Sequence, residues 1–107
     1  MTRIMLKPEY GFSATHPGEI VKDEIEYRGI SQRRLSRQTG IPYKALNDLL
    51  NGRRSLTTAT AMMLEAALDV PADALMRLQL KYNMMQASSD KSFMERLNGI
   101  RRYAAIL

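Results

Sequence analysis

Tyr43, Lys44, Asn47 and Asp48 bring a phenol, an ammonium, an amide and a carboxylate together within six positions. An ammonium can donate to guanine O6 and N7, and an Asn amide can pair with adenine N6 and N7. The phenol can contact a thymine methyl group or a phosphate. The carboxylate can accept from cytosine N4, or it can pair with Lys44 at the i,i+4 spacing of a helix. The group therefore predicts a surface that reads base edges, and a solvated helix face is the alternative.

Donor side chains lie on both sides of this group. Gln32 and Arg33 precede it, and Arg53 and Arg54 follow it. Guanidinium and amide N–H groups commonly hold phosphate oxygens of a nucleic-acid backbone. Residues 30–56 carry six basic residues and one acidic residue, and this clustering favours an anionic partner more strongly than the net charge of +5 does. We expect the four flanking residues to bind phosphates, and a solvated charge is the alternative for each basic residue taken singly.

Two short helices joined by a tight turn must position these side chains. Ser31 is suited to cap the first helix, because its hydroxyl can accept a free backbone N–H, and Gly40 is suited to end it in left-handed geometry. Pro42 stands at or next to the start of the second helix, where its missing N–H does no harm. Leucines then repeat at helical spacing until Asn51-Gly52. This outline predicts a helix-turn-helix.

Helical patterns on both sides of this pair predict an all-α fold of five helices with an additional C-terminal helix. His16-Pro17 opens the first helix, and three more helices follow residue 57. We expect an N-terminal arm at residues 1–15, a DNA-binding domain at residues 16–86 and a helical extension at residues 87–107. The arm is either a frayed end or a segment that becomes ordered on a partner.

The fifth predicted helix is apolar on two sides, which indicates either deep burial or packing against a second chain. A small domain has a modest core, so association with a second copy would stabilise it. The candidates for a homodimer interface come from this helix and the last one: Leu78, Tyr82, Met85, Phe93 and Leu97.

Composition disfavours several classes of function. The chain of 107 residues contains no cysteine and one histidine, which excludes disulfides and thiolate metal sites and leaves no ordinary nucleophile–base pair. We therefore expect no enzyme, no cofactor and no metal, with His16 as a helix-start residue. No apolar run approaches the roughly 18 residues of a membrane span, and the N-terminus lacks a signal-peptide core. A cytoplasmic protein without membrane contact is the expectation.

The stretch SQRRLSRQTGIPYKALNDLLNGRRSLT resembles the helix-turn-helix of the Cro/phage-repressor family, also called XRE. The segments HPGEIVKDEI, NGRRSLT and ALMRLQLKYNM resemble HigA-type antitoxins over residues 16–86. The resemblance implies a homodimer that binds operator DNA, represses its own operon and neutralises a HigB-like toxin that cleaves mRNA. It also implies DNA contact for Gln32, Tyr43, Lys44 and Asn47. One departure is Pro42, where the family often has a Ser or Thr cap, and another is a long extension at residues 88–107.

The prediction is a dimeric operator-binding repressor that is the antitoxin of a toxin–antitoxin pair. The alternatives are a stand-alone or phage-type repressor without a toxin, and a protein-binding adaptor that has lost DNA binding. A basic, RNA-cleaving toxin would be drawn to the acidic face of the first helix, at Asp23, Glu24 and Glu26. The other candidate surface is the apolar part of the arm: Ile4, Leu6, Tyr10 and Phe12.

Overall fold

The computed structural model describes residues 14–106, which form α-helices and no β-strand. The all-α class is therefore confirmed over this range, whereas the arm candidates Ile4, Leu6, Tyr10 and Phe12 lie outside it. Within residues 14–106, no helix is both long and apolar enough to span a membrane. The helices are α1 (Pro17–Arg28), α2 (Gln32–Thr39), α3 (Tyr43–Leu50), α4 (Thr58–Leu68), α5 (Ala72–Ser88) and α6 (Lys91–Ala104).

The described residues divide into two compact units. One unit is Thr15–Leu80, and the described part of the other consists of residues 14 and 81–106. The first unit holds α1 to α4 and the first part of α5, and the second holds the remainder of α5 and all of α6.

Helices α1 to α4 and the start of α5 surround the core of the first unit. Helix α1 packs against α3, and α2 contacts both α3 and α4. Because three leucines of α3 are buried here, its polar residues must face outward. The buried apolar residues are Val21, Ile25, Leu35, Ile41, Leu46, Leu49, Leu50, Leu56, Ala61, Leu64, Leu68 and Leu75.

The start of α1 lies directly against the end of α3. The Nδ1 atom of His16 accepts the backbone N–H of Gly18 at 2.9 Å and caps the helix, and Pro17 occupies its first turn. Gly18 has no space for a side chain, because a Cβ there would overlap the backbone carbonyl of Leu49. The helix-start role of His16 is thus confirmed, and the His-Pro-Gly sequence combines a cap with a close backbone approach.

Other helix ends follow the sequence signals for capping. Asp69 ends α4 in left-handed geometry with φ 59°, which Asp tolerates better than most residues. The Asp90 carboxylate caps α6 by accepting the N–H of Phe93 at 3.1 Å. The buried Gln79 Oε1 accepts the N–H of Leu56 at 2.7 Å, which ties the loop after α3 to α5.

Candidate nucleic-acid interface

The turn between α2 and α3 is fixed by hydrogen bonds around Ile41. The Ser36 hydroxyl donates to the Ile41 carbonyl at 2.6 Å, and the Thr39 hydroxyl accepts the Ile41 N–H at 3.2 Å. Gly40 adopts φ 81° and ends α2 as predicted. Pro42 supplies no side-chain cap to α3, so the position of α3 depends on this turn and on its buried leucines.

The predicted base-reading residues lie on the side of α3 that faces away from its buried leucines. The Lys44 side chain is 87% exposed and Tyr43 is 41% exposed. Asn47 is half-buried, and the Asp48 side chain retains only 17% exposure. The first two residues of α3 therefore project into solvent, whereas Asn47 and Asp48 lie lower on the surface and are covered by neighbouring polar side chains.

Asn47 connects α2, α3 and the loop that follows α3. Its Nδ2 atom donates to Gln32 Oε1 at 2.9 Å, and its Oδ1 atom accepts from Arg53 Nη2 at 3.1 Å. The residue type and helical position of Asn47 predict a side chain that can pair with adenine. In the structure, both polar atoms of its amide already have partners within the protein.

Asp48 binds two of the predicted DNA-contacting cations. Its Oδ1 atom accepts from Arg53 Nε at 3.2 Å and Nη2 at 3.1 Å, and its Oδ2 atom accepts from Lys44 Nζ at 3.3 Å. The hydrogen bonds from Arg53, and then from Lys44, lower the pKa of Asp48. The carboxylate is therefore ionised near neutral pH, and the expected pairing with Lys44 is present.

A cation–π contact joins the beginnings of the two helices. The guanidinium carbon of Arg33 lies 4.7 Å from the centroid of the Tyr43 ring, a distance at which the cation is attracted to the ring face. Arg33 is a phosphate candidate and Tyr43 is a base-reading candidate, so this contact brings the two predicted classes of residue together.

His16 connects the loop of Arg53 and Arg54 to α1. The imidazole forms a hydrogen bond with the backbone of Arg54, and the Arg54 residue itself is exposed. Burial lowers the pKa of His16 more than the Arg54 bond and the nearby charge of Glu19 raise it. The neutral imidazole is thus favoured, as its accepting Nδ1 requires. This contact could not be predicted from the sequence, because 38 positions separate the two residues and no helical spacing relates them.

The assembled face consists mainly of N–H donors. Lys44, Arg33, Arg53 and Arg54 supply cationic donors, and such groups match phosphate oxygens and the acceptor atoms of guanine. Among residues 14–106, no group of three His, Cys, Asp or Glu side chains could hold a metal ion. The N–H donors of this face are chemically suited to bind an acceptor-rich anion.

Comparison with known proteins agrees with this architecture. The helix-turn-helix family model matches residues 21–75. A HigA-family addiction module antidote protein from Coxiella burnetii is 31% identical, with a TM-score of 0.65, over 69% of this chain and 82% of that one. Antitoxin HigA of Pseudomonas aeruginosa, solved with the higBA promoter, is 30% identical, with a TM-score of 0.67, over 71% of this chain and 84% of that one.

The curated virulence-associated protein I of Dichelobacter nodosus is 28% identical over 79 residues, or 73% of each chain. The helix-turn-helix match covers more than half of the chain and includes α2, the turn and α3. The chain therefore belongs to the XRE-type helix-turn-helix family, in the branch that contains the HigA antitoxins.

Proposed function

We propose that this protein is a sequence-specific DNA-binding repressor and the antitoxin of a HigBA-like toxin–antitoxin system. The observation that carries the proposal is the donor-rich outer face of α3, in a fold shared with a HigA antitoxin that was solved with its promoter. Helix α3 enters the major groove with Tyr43 and Lys44 toward the base edges. Gln32, Arg33, Arg53 and Arg54 bind phosphates on either side.

Binding of the protein to the DNA upstream of its own gene tests this function. Wild-type protein should prefer this duplex to a scrambled one of equal length, and its affinity should fall steeply with salt. Arg53→Ala should weaken binding to both duplexes and reduce the salt slope by about one unit. Arg77→Ala is the matched control, because Arg77 is an exposed arginine of α5 that pairs with Asp73 at 2.9 Å. Equal affinity of wild-type protein for both duplexes would exclude a sequence-specific repressor.

The repressor acts as a homodimer in this proposal. One small domain makes few base contacts, and a two-fold dimer would bind half-sites about 34 Å apart. Helix α6 supports such an interface, since none of its residues is buried in the part of the chain that the structure describes. Phe93 is 38% exposed, and Tyr82, Met85 and Leu97 are half-buried. The proposed interface consists of Leu78, Tyr82, Met85, Phe93 and Leu97.

Toxin neutralisation uses a surface other than α3. One candidate is the arm with Ile4, Leu6, Tyr10 and Phe12, and the other is the acidic face of α1. On that face, Asp23 and Glu26 are exposed, and Glu24 accepts from Arg28 Nε at 2.6 Å. A basic toxin would be attracted to this face.

Growth rescue from the toxin separates these two surfaces from DNA binding. A variant that combines Lys44→Ala with Asn47→Ala should lose repression and still rescue growth. A variant without residues 1–14 should repress and rescue poorly. Full rescue by the truncation would place the toxin on the helical body, and absence of an adjacent toxin gene would favour the stand-alone repressor.

A further inference from the structure

We propose that Asn47 is a positioning residue, which Arg53 orients and which in turn fixes the Gln32 amide so that Gln32 presents N–H donors to DNA. The groups that Gln32 would bind are acceptors: either phosphate oxygens or the O6 and N7 atoms of guanine. This inference rests on the DNA-binding function proposed above. It adds which atoms of Asn47 and Gln32 donate hydrogen bonds and which accept them.

The chemistry of Arg53 determines the orientation of both amides. A guanidinium has five N–H donors and no acceptor, so the Asn47 atom 3.1 Å from Arg53 Nη2 must be the oxygen. The Asn47 nitrogen is then the atom 2.9 Å from Gln32. Because that nitrogen only donates, the facing atom of Gln32 must be its oxygen, and the NH₂ group of Gln32 occupies the other branch of its amide.

Asp48 holds Arg53 in the position that this chain of bonds requires. The carboxylate accepts from Nε and Nη2 of Arg53 at 3.2 and 3.1 Å. Two contacts to one planar guanidinium restrict its rotation more than a single contact would. The order of control therefore runs from Asp48 to Arg53, then to Asn47 and finally to Gln32.

This arrangement argues against adenine recognition by Asn47. Bidentate pairing with adenine needs the amide oxygen for N6–H and the amide nitrogen for N7. Each of these two atoms already has one partner within the protein. Pairing with adenine would therefore have to use the second N–H and the second lone pair of Asn47, in the orientation that Gln32 and Arg53 impose. Gln32 is also poorly suited to this role, because its oxygen already accepts from Asn47, whereas its NH₂ group can only donate.

The first test is a selection from randomised duplexes with wild type, Asn47→Ala, Gln32→Ala and the double variant. Gln38→Ala is the matched control, since it removes an exposed glutamine from the other end of α2. Each single variant should weaken binding about tenfold, as expected for lost hydrogen bonds to a charged or strongly polar acceptor. In the Gln32→Ala background, Asn47→Ala should weaken binding less than about twofold further, because it acts through Gln32.

The base preferences distinguish the two sources of acceptor. If both variants lose the same G·C preference, Gln32 reads guanine; if both lose affinity equally for all sequences, Gln32 binds phosphate. Loss of an A·T preference by Asn47→Ala alone, with multiplicative effects in the double variant, would overturn the proposal. If wild-type protein selects no sequence, the repressor function fails and this inference fails with it.

A measurement without DNA tests the hydrogen bond between Asn47 and Gln32 by itself. The side-chain N–H resonances of Asn47 should shift on Gln32→Ala and remain in place on Gln38→Ala. Gln32→Glu should preserve the oxygen that accepts from Asn47 while it replaces the donor group by an anionic oxygen. This variant should therefore leave the Asn47 resonances close to their wild-type positions and weaken DNA binding more than Gln32→Ala does. Unchanged Asn47 resonances in Gln32→Ala would contradict the orienting contact.

Discussion

Helices α3 and α6 both expose polar and basic residues, but the two helices differ in what lies behind the exposed face. Helix α3 buries Leu46, Leu49 and Leu50 in the core, whereas α6 buries no residue in the described part of the chain. The core therefore fixes the rotation of α3 about its axis and determines which side chains face outward. The large apolar residues of α6 remain at least partly exposed, so α3 has the properties expected of the proposed recognition surface and α6 those expected of the proposed dimer interface.

The polar contacts of the two helices also differ: those of α3 reach other elements, whereas the α6 contact described below stays within the helix. On α3, Asn47 and Asp48 connect to residues of α2 and of the following loop. On α6, Arg101 donates to Asn98 at 2.9 Å, which is a contact within one helix. Long-range contacts hold the donors of α3 in a defined pattern before any ligand arrives, and such preorganisation reduces the entropy that binding costs. The predictions below alter one helix or the other.

Gly18→Ala should produce the largest effect, because it disturbs the support behind α3. The new Cβ would overlap the Leu49 carbonyl, so α1 or α3 must move. We expect the free energy of unfolding to fall by roughly 2–4 kcal/mol, in the range of severe overpacking. Urea denaturation measures this loss, and the remaining folded protein should bind operator DNA more weakly.

Two other glycines serve as controls for this prediction. Gly29 has φ 71° and open space around its Cβ position, so Gly29→Ala should cost about 1 kcal/mol from backbone strain alone. Gly99 lies within α6 with ordinary contacts, and Gly99→Ala should increase stability by about 0.5–1 kcal/mol. Equal losses at Gly18 and Gly29 would show that α1 does not support α3 in the way described.

Much of this architecture could be predicted from the sequence, because its signals are local. Ser31 and Gly40 marked the ends of α2, and the leucine spacing of α3 identified its buried side. The Lys44–Asp48 contact followed from an i,i+4 spacing. Each of these signals depends on residues within one helix or at its ends.

The contacts that orient the candidate site could not be predicted in this way. Asn47 meets Gln32 across 15 positions, and Arg53 reaches Asn47 from a loop. Such pairs depend on how α2 packs against α3 and on the path of the loop, and neither is encoded in a helical period. The sequence therefore indicated which side chains face outward but not which of them bind one another.

Lys44→Ala should change base preference at one position of the operator. Lys44 is the most exposed of the predicted base-reading residues. Its ammonium forms a solvent-exposed ion pair with Asp48 at 3.3 Å. We expect a cost of about 1–3 kcal/mol on the cognate duplex. Competition binding against single-base variants of the operator measures it. Lys91→Ala removes the same charge from α6 and should leave all base preferences unchanged; unchanged preferences in Lys44→Ala as well would contradict the role of α3.

Leu97→Glu should weaken self-association by tenfold or more, because it places a charge in the proposed apolar interface. Leu97 is half-buried on a helix without buried residues in the described chain, so the protomer should remain folded. Sedimentation across a concentration series measures the change. Ser92→Glu introduces the same charge at an exposed position of α6, and the mass of the sedimenting species should remain that of wild type. A dimer of wild-type strength in Leu97→Glu would place the interface elsewhere.

Acidification should produce the smallest effect, through His16. Burial lowers the pKa of this histidine from its ordinary value of 6.5, so below about pH 6.5 the unfolded chain binds more protons than the folded chain. The free energy of unfolding should therefore fall as the pH decreases below 6.5 and level off below the pKa of the folded state. Because a single group titrates, the free energy of unfolding can change by at most about 1.4 kcal/mol per pH unit.

His16→Asn provides the control for this titration. An Asn side chain can cap α1 by accepting the Gly18 N–H, but it does not titrate, so the pH dependence between 5 and 7 should largely disappear. His16 is the only histidine of the chain, and the slope can therefore be assigned to one residue. A slope that survives in His16→Asn would exclude this assignment. A slope that disappears, together with weaker operator binding by wild-type protein at pH 5.5, would connect the α1 cap to the loop of Arg53 and Arg54.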